Sequence, residues 1–382
     1  WVVASPLSQR NNYYGLVIKS RLRSLPDRDR RPTLESNMKS PGQNGTLGRR
    51  IAGALSGLTL EKVAEEGYAN AQVNREVARS GKSILDLRDT ALMDGDDALI
   101  IATGPSLHRQ NYARDILESG YKGVIIATES ALRYCFRNGI VPDLTITLDA
   151  HPKRVVRWFG DPSLNAAALK ADDYFARQDM DPEFNRNQLR HNTEVVSMMN
   201  DHGRGMKIAI SSGASAAVVS RVADVGMDAY WWNPYYDDYD LENSLTRRVH
   251  ELNGLPCLNA GGNVGTACWA LAATVLGKTR IGLAGMDLSY YPDTPHENTQ
   301  YYYEILDLVG PERLDEVYVQ IHNPHLDKAF YTDPAYLWYR DVFLDSITQT
   351  RVNTINCTGG GILFGRGIEW MTLKNFLSGS GD

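Results

Sequence analysis

The run Ala98-Leu99-Ile100-Ile101-Ala102, closed by Thr103-Gly104-Pro105-Ser106-Leu107, decides the fold class. Five consecutive apolar residues have the length of a strand. With no polar residue among them, both faces of that strand must be covered. Gly104 lets the backbone turn tightly, Pro105 suits the first turn of a helix, and Ser106 is placed to cap it. A helix is predicted from this turn to residue 119.

The same grammar recurs on the C-terminal side. Gly123-Val124-Ile125-Ile126-Ala127 precedes a helical stretch over 130–138, and Leu144-Thr145-Ile146-Thr147-Leu148 ends at Asp149. Lys207-Ile208-Ala209-Ile210-Ser211 ends at Ser212-Gly213 and leads into an Ala-rich helix, and residues 228–232 read as a fifth strand. A helix over 266–276 is followed by Arg280-Ile281-Gly282-Leu283-Ala284, which ends in Gly285-Met286-Asp287. Unbroken apolar strands alternating with helices imply an α/β fold. We expect a doubly wound, mostly parallel, Rossmann-like sheet with helices on both faces and right-handed crossovers.

Around this core, residues 1–57 read as a basic, weakly ordered N-terminal arm or oligomer contact, with Arg28, Arg30 and Arg31 clustered. Residues 58–90 are a helical lead-in, its 58–80 stretch showing one apolar face, and 91–300 the Rossmann-like core. Residues 301–382 form a C-terminal helical cap that returns to the core, with helices over 301–308, 335–348 and 366–377 and a strand at Asn353–Asn356.

Bulk properties narrow the function. The chain has 382 residues, 43% hydrophobic, with a formal net charge of −6, which argues against an electrostatic nucleic-acid binder. No run of about 18 apolar residues is present, so no transmembrane helix is expected. Cys135, Cys257, Cys268 and Cys357 form no C-x-x-C pair and read as buried free thiols of a cytoplasmic protein. The chain opens on Trp1, so a removed targeting segment stays an alternative.

In doubly wound sheets ligands sit outside the carboxyl ends of the strands, at the switch in strand order. Each polar cluster named above falls at such an end. Gly104, Pro105, Ser106 and Leu107 form one candidate anion-binding turn, whose backbone N–H groups favour a phosphate; the alternative is a plain strand–helix turn. Gly262, Asn263, Val264 and Gly265, opening an apolar helix, form a second, with tight helix–sheet packing as the alternative. Asp149 and Asp287 close two strands and suit a ribose hydroxyl, a divalent metal such as Mg²⁺ or a general base; either could instead be a helix cap. His296, in the polar loop after Asp287, is the acid–base candidate, with an exposed loop histidine as the alternative. The aromatic stretch 230–239 reads equally as a stacking surface or as core.

Taken in order, Gly104-Pro105-Ser106-Leu107, the Asn138-Gly139-Ile140-Val141-Pro142-Asp143 stretch leading to Asp149, Gly262-Asn263-Val264-Gly265-Thr266-Ala267, Gly285-Met286-Asp287-Leu288-Ser289-Tyr290 with His296, and Cys357-Thr358-Gly359-Gly360-Gly361 resemble a known family. It is the one shared by bacterial motility-associated (Maf) flagellin glycosyltransferases and archaeal 6-hydroxymethylpterin diphosphokinases (MptE-like). The resemblance spans roughly residues 85–370. The family's closing motif commonly reads Thr-Glu-Gly-Gly, and this chain has Gly359 where that Glu would stand.

The resemblance implies a nucleotide-using transferase. In its glycosyltransferase form the donor is a CMP-nonulosonic acid and the acceptor a protein such as flagellin. Gly104–Leu107, Gly262–Gly265, Thr358 and Gly360 would hold the nucleotide, Asp149 and Asp287 ribose or metal, and His296 the transferred proton. In its diphosphokinase form ATP and Mg²⁺ act on a hydroxymethylpterin-like alcohol. A third reading is an inert nucleotide-binding scaffold. A homo-oligomer is compatible with all three.

Overall fold

The computed structural model describes residues 46–151, 155–171 and 187–379. The arginine cluster of the N-terminal arm, and the Lys153-Arg154 pair beside His151, lie outside the described residues. The strands are β1 (Lys82–Ser83), β2 (Asp97–Ile101), β3 (Val124–Thr128), β4 (Leu144–Thr147), β5 (Lys207–Ser211), β6 (Asp228–Pro234), β7 (Cys257–Leu258), β8 (Arg280–Ala284), β9 (Val319–Asn323), β10 (Lys328–Thr332), β11 (Asn353–Asn356) and β12 (Ile368–Trp370).

All but β9 and β10 join one parallel sheet in the order β1-β6-β5-β4-β3-β2-β8-β11-β12, with β7 beside β6. From β2 the chain steps outward through β3, β4, β5 and β6. It then resumes on the other side of β2 with β8, so the switch in strand order falls between β2 and β8. This is the doubly wound arrangement that the alternation implied.

Both faces of the sheet are dry. Along β2, Leu99 and Ile101 enter one core cluster, with Tyr112, Leu132, Met199 and Val218 of the helices on that side. Ala98, Ile100 and Ala102 enter the other, with Ala267, Leu271 and Phe343. Ile100 is fully buried, and truncating such a side chain to Ala costs about 2–5 kcal/mol. The aromatic stretch divides likewise: Trp231 and Trp232, 3% and 0% exposed, are core.

Four expectations are corrected. The single helix after β2 is two pieces, a 3-10 turn at Pro105–His108 and a helix at Tyr112–Ser119, because Gly104 caps the turn while the Ser106 side chain bonds elsewhere. The lead-in helix starts inside the expected arm and spans Thr46–Val73, followed by Arg75–Ser80. Tertiary packing overrides its Gly-rich beginning: Leu47 and Ile51 pack against a cluster containing Val317 and Tyr318. The helix expected over 366–377 is strand β12 followed by Leu373–Ser378, β12 extending the main sheet alongside β11. Within the C-terminal cap, β9 and β10 form an antiparallel hairpin.

The lead-in helix also fixes the rim. The Asn70 amide donates to the carbonyls of Ala150 and Gly213, each at 2.9 Å, and buried Asn74 donates to those of Ser212 and Ala214. The loops after β4 and β5 are thereby tied together.

Candidate functional site

At the switch point, between the carboxyl ends of β2 and β8, the crevice is filled from within. Asp287 is 1% exposed. One of its carboxylate oxygens accepts from the Ser106 amide at 3.1 Å, the other from the Ser106 hydroxyl at 2.6 Å. The remaining polar groups of the turn are used as well: the Gly104 amide donates to Gly285, and that of Leu107 to Gly104. The Gly104–Leu107 turn does engage an acid, and that acid is the protein's own Asp287. Burial pushes the Asp287 pKa up to about 7, against the opposing pull of the Ser106 hydrogen bonds.

Glycine builds the walls of this crevice. A Cβ on Gly104 would collide with the Asp287 carboxylate, and one on Gly360 would come within 2.6 Å of the Tyr291 hydroxyl and 2.7 Å of Asp287. Gly361 sits at φ +85°, where L side chains are strained. Thr358 bolts β8 to β11, its hydroxyl accepting from the Met286 amide at 3.1 Å and donating to the Leu283 carbonyl. At Gly359, where the resembling family carries Glu, a Cβ would meet the Gln110 side chain, whose amide donates to the Gly359 carbonyl at 3.3 Å.

The second glycine turn borders the same crevice. A Cβ on Gly265 would lie 3.4 Å from the sulfur of Met286, the residue before Asp287. Asn263 caps the helix Val264–Thr274, its Oδ1 accepting from the Thr266 amide at 2.9 Å. Gly262 is exposed and faces the rings of Trp338 and Tyr339. Ser106, Asn263 and Asp287, far apart in the chain, therefore meet at one end of the sheet.

A second acidic group lies at the ends of β3 and β4. Asp149 is exposed, and one of its oxygens accepts from the His151 amide at 3.0 Å. Beside it stands Glu129, which the sequence reading missed. Glu129 is 5% exposed, and its Oε2 is buried with no hydrogen-bond partner among the described residues. Burial, with a smaller push from the Asp149 charge, raises the Glu129 pKa to about 8. The signal was legible: Glu129 closes the apolar run of β3 as Asp149 closes that of β4. Next to it the Ser130 hydroxyl pairs with those of Thr103 and Thr128 at 2.7 and 3.1 Å, linking the ends of β2 and β3.

Two of the expected site groups are placed apart. Asp149 and Asp287 were expected to border a shared cleft, each suited to a ribose hydroxyl, a divalent metal or a base. Their strands β4 and β8 stand three places apart in the sheet, roughly 14 Å at the usual strand spacing. Their neighbours also differ, Ser106 and the glycine walls for one and Glu129 for the other. His296 was expected to face the cleft; its ring stacks on Tyr318 at 4.0 Å and meets Tyr331 edge-on. Burial lowers its pKa, which favours the neutral ring. The four cysteines are buried free thiols, and no helix among the described residues is long and apolar enough to cross a membrane.

Residues 68–159 match the model of the family described as 6-hydroxymethylpterin diphosphokinase MptE-like, so the resemblance drawn from the motifs holds over the stretch that carries the Gly104 turn, Glu129 and Asp149. Among solved structures, a Maf glycosyltransferase from Magnetospirillum magneticum AMB-1 is similar, with 18% identity and a TM-score of 0.49. The match covers 81% of this chain and 38% of that one, so the chain spans well under half of that structure's length. No curated protein matches the chain.

Proposed function

We propose that the protein is a transferase that uses a nucleotide-activated donor, and that its donor is a nucleotide-linked sugar of the CMP-nonulosonic acid kind. The acceptor would be a hydroxyl of a protein, such as a flagellin, or of a glycan. The observation that carries this reading is the carboxyl pair at the rim: exposed Asp149 beside buried Glu129, whose pKa is raised to about 8. Two neighbouring acids whose environments differ in this way divide the acid and base roles of a transfer between them.

In glycosyl transfer the bond from the sugar's anomeric carbon to the donor phosphate breaks, and its electron pair leaves on the phosphate. The acceptor oxygen forms the new bond to that carbon and gives up its proton. Asp149, open to solvent, would take this proton. Glu129, held protonated by burial, would supply a hydrogen bond or a proton as charge develops on the leaving phosphate. The helix Val264–Thr274 starts in the Gly262–Gly265 segment, and the first-turn amides that the Asn263 cap leaves would offer the donor phosphate an anion site.

A second reading, a diphosphokinase acting on a hydroxymethylpterin-like alcohol, is favoured by the family description that residues 68–159 match. That reaction would use Mg²⁺ to neutralise the transferred diphosphate. Exposed Asp149 fits a largely hydrated Mg²⁺. Asp287 does not, since Ser106 engages both of its oxygens and glycine backbone walls it in.

Product analysis separates the readings. The purified protein is offered a CMP-activated nonulosonic acid with a flagellin acceptor, or ATP with a hydroxymethylpterin. Release of CMP together with glycosylated acceptor is expected. AMP release with a diphosphorylated pterin would replace the first reading by the second, and no product from either pair would favour the inert scaffold.

A further inference from the structure

A crevice on the other side of the Gly104–Leu107 turn has no part in the acid pair. Its volume is about 340 Å³, and its walls are Leu107, His108, Gln110, Asn111, Ala113, Arg114, Arg133, Tyr134, Arg137 and Asn138. We propose that it is a binding pocket for a phosphate ester or diphosphate anion.

Placement comes first. The walls belong to the 3-10 turn and helix that follow β2 and to the helix Leu132–Arg137 that follows β3. The pocket therefore lies between the segments that follow two adjacent parallel strands, one of which flanks the switch in strand order. Its volume falls within the roughly 300–1,000 Å³ of small-molecule sites.

Charge comes second. Three guanidinium groups line the pocket, and none of its ten lining residues is an acid. In a chain of net charge −6 this is a concentrated positive site. Arg133 is only 6% exposed, with His191 Nδ1 at 3.5 Å from its guanidinium. Among the described residues, the acids beside Arg114 and Arg137 stand outside the lining and are held loosely. Arg114 is 3.9 Å from Asp115 and Arg137 is 3.4 Å from Glu194, both longer than the roughly 2.7–2.9 Å of a charge-assisted hydrogen bond. A planar fork of donors matches phosphate oxygens in a way these long pairs do not. Neutral polar groups complete the wall: Asn111, Gln110, Asn138 and the Tyr134 hydroxyl, which accepts from the Ala113 amide at 3.2 Å.

Phosphate recognition here does not depend on the transferase reading, because it is tested by binding alone. Titration calorimetry with inorganic pyrophosphate, CMP and ATP should detect pyrophosphate binding with Kd of about 1 mM or tighter. The double variant Arg114→Gln/Arg137→Gln should weaken it at least tenfold, and the effect on each nucleotide shows whether its phosphate occupies the same pocket. Thermal melting of the double variant checks that it folds; if it does not, the single variants Arg114→Gln and Arg137→Gln are compared. Added salt should weaken binding to the parent more than to the variant. Pyrophosphate binding unchanged by the substitutions, or no binding to the parent at roughly ten times that concentration, would overturn the proposal.

Discussion

The crevice between β2 and β8 and the rim over β3 and β4 are built from the same sequence device, an acid that closes an apolar parallel strand, yet they end in opposite states. Asp287 meets an amide and a hydroxyl of Ser106 and is walled in by Gly104, Gly360 and Gly361. Asp149 accepts from a backbone amide of its own turn and stays exposed, while the Oε2 of its neighbour Glu129 is buried without a partner among the described residues. One acid is a buried carboxyl that ties two loops together; the other pair joins an exposed acid to a buried one. An acid's position at a strand end therefore does not define its role. What the facing loops offer it does.

The largest test of this contrast is catalytic. Asp149→Asn should lower turnover by about 10²–10⁴-fold with little change in melting temperature, the usual scale for loss of a general base. Equal turnover in the variant would remove the acid–base assignment. The mirror experiment is Asp287→Ala. It should cost roughly 2–4 kcal/mol in denaturant unfolding, since it strands the Ser106 amide and hydroxyl in a buried site. A variant as stable as the parent would show that the buried carboxyl is not a lock. Gly361→Ala, in a left-handed backbone conformation, should destabilise by about 1–3 kcal/mol without touching the Glu129–Asp149 rim.

A smaller effect follows from pH. Glu129, Asp287 and Asp333 have pKa values raised by burial to about 8, 7 and 6. Each is protonated in both folded and unfolded chains at low pH. As pH rises above the ordinary carboxyl value, the unfolded chain ionises first while the folded one keeps its proton. The stability these groups contribute is thus full below about pH 4 and lost progressively by about pH 8. Glu129→Gln should flatten the decline of melting temperature across the upper part of that window. A decline of unchanged slope would mean that Glu129 already ionises at its ordinary pKa.

Much of this was legible in the sequence, and the misses have physical causes. The apolar runs at 98–102 and 280–284 became neighbouring strands, and their polar endings met as expected. The Ser106 cap failed because the hydroxyl found a stronger acceptor, a carboxylate 181 residues away. The beginning of the lead-in helix was hidden by Gly48, Gly53 and Gly57, which lower helix propensity until the fold packs that segment. His296 looked catalytic in a polar loop, but Tyr318 and Tyr331, brought by a hairpin the sequence reading did not foresee, enclose its ring.

By itself the sequence determined the alternation of buried strands and helices, the parallel sheet that follows, and the set of polar turns at the strand ends. Local periodicity and turn chemistry are written residue by residue, so these features need no partner to be read. Only the tertiary structure decided where the strand order reverses, which acid is sealed and which is open, and that three arginines share one pocket. Those outcomes depend on which loops face one another across the sheet, and segments such as 104–107, 285–287 and 358–361 acquire that relation only when long-range packing brings them together.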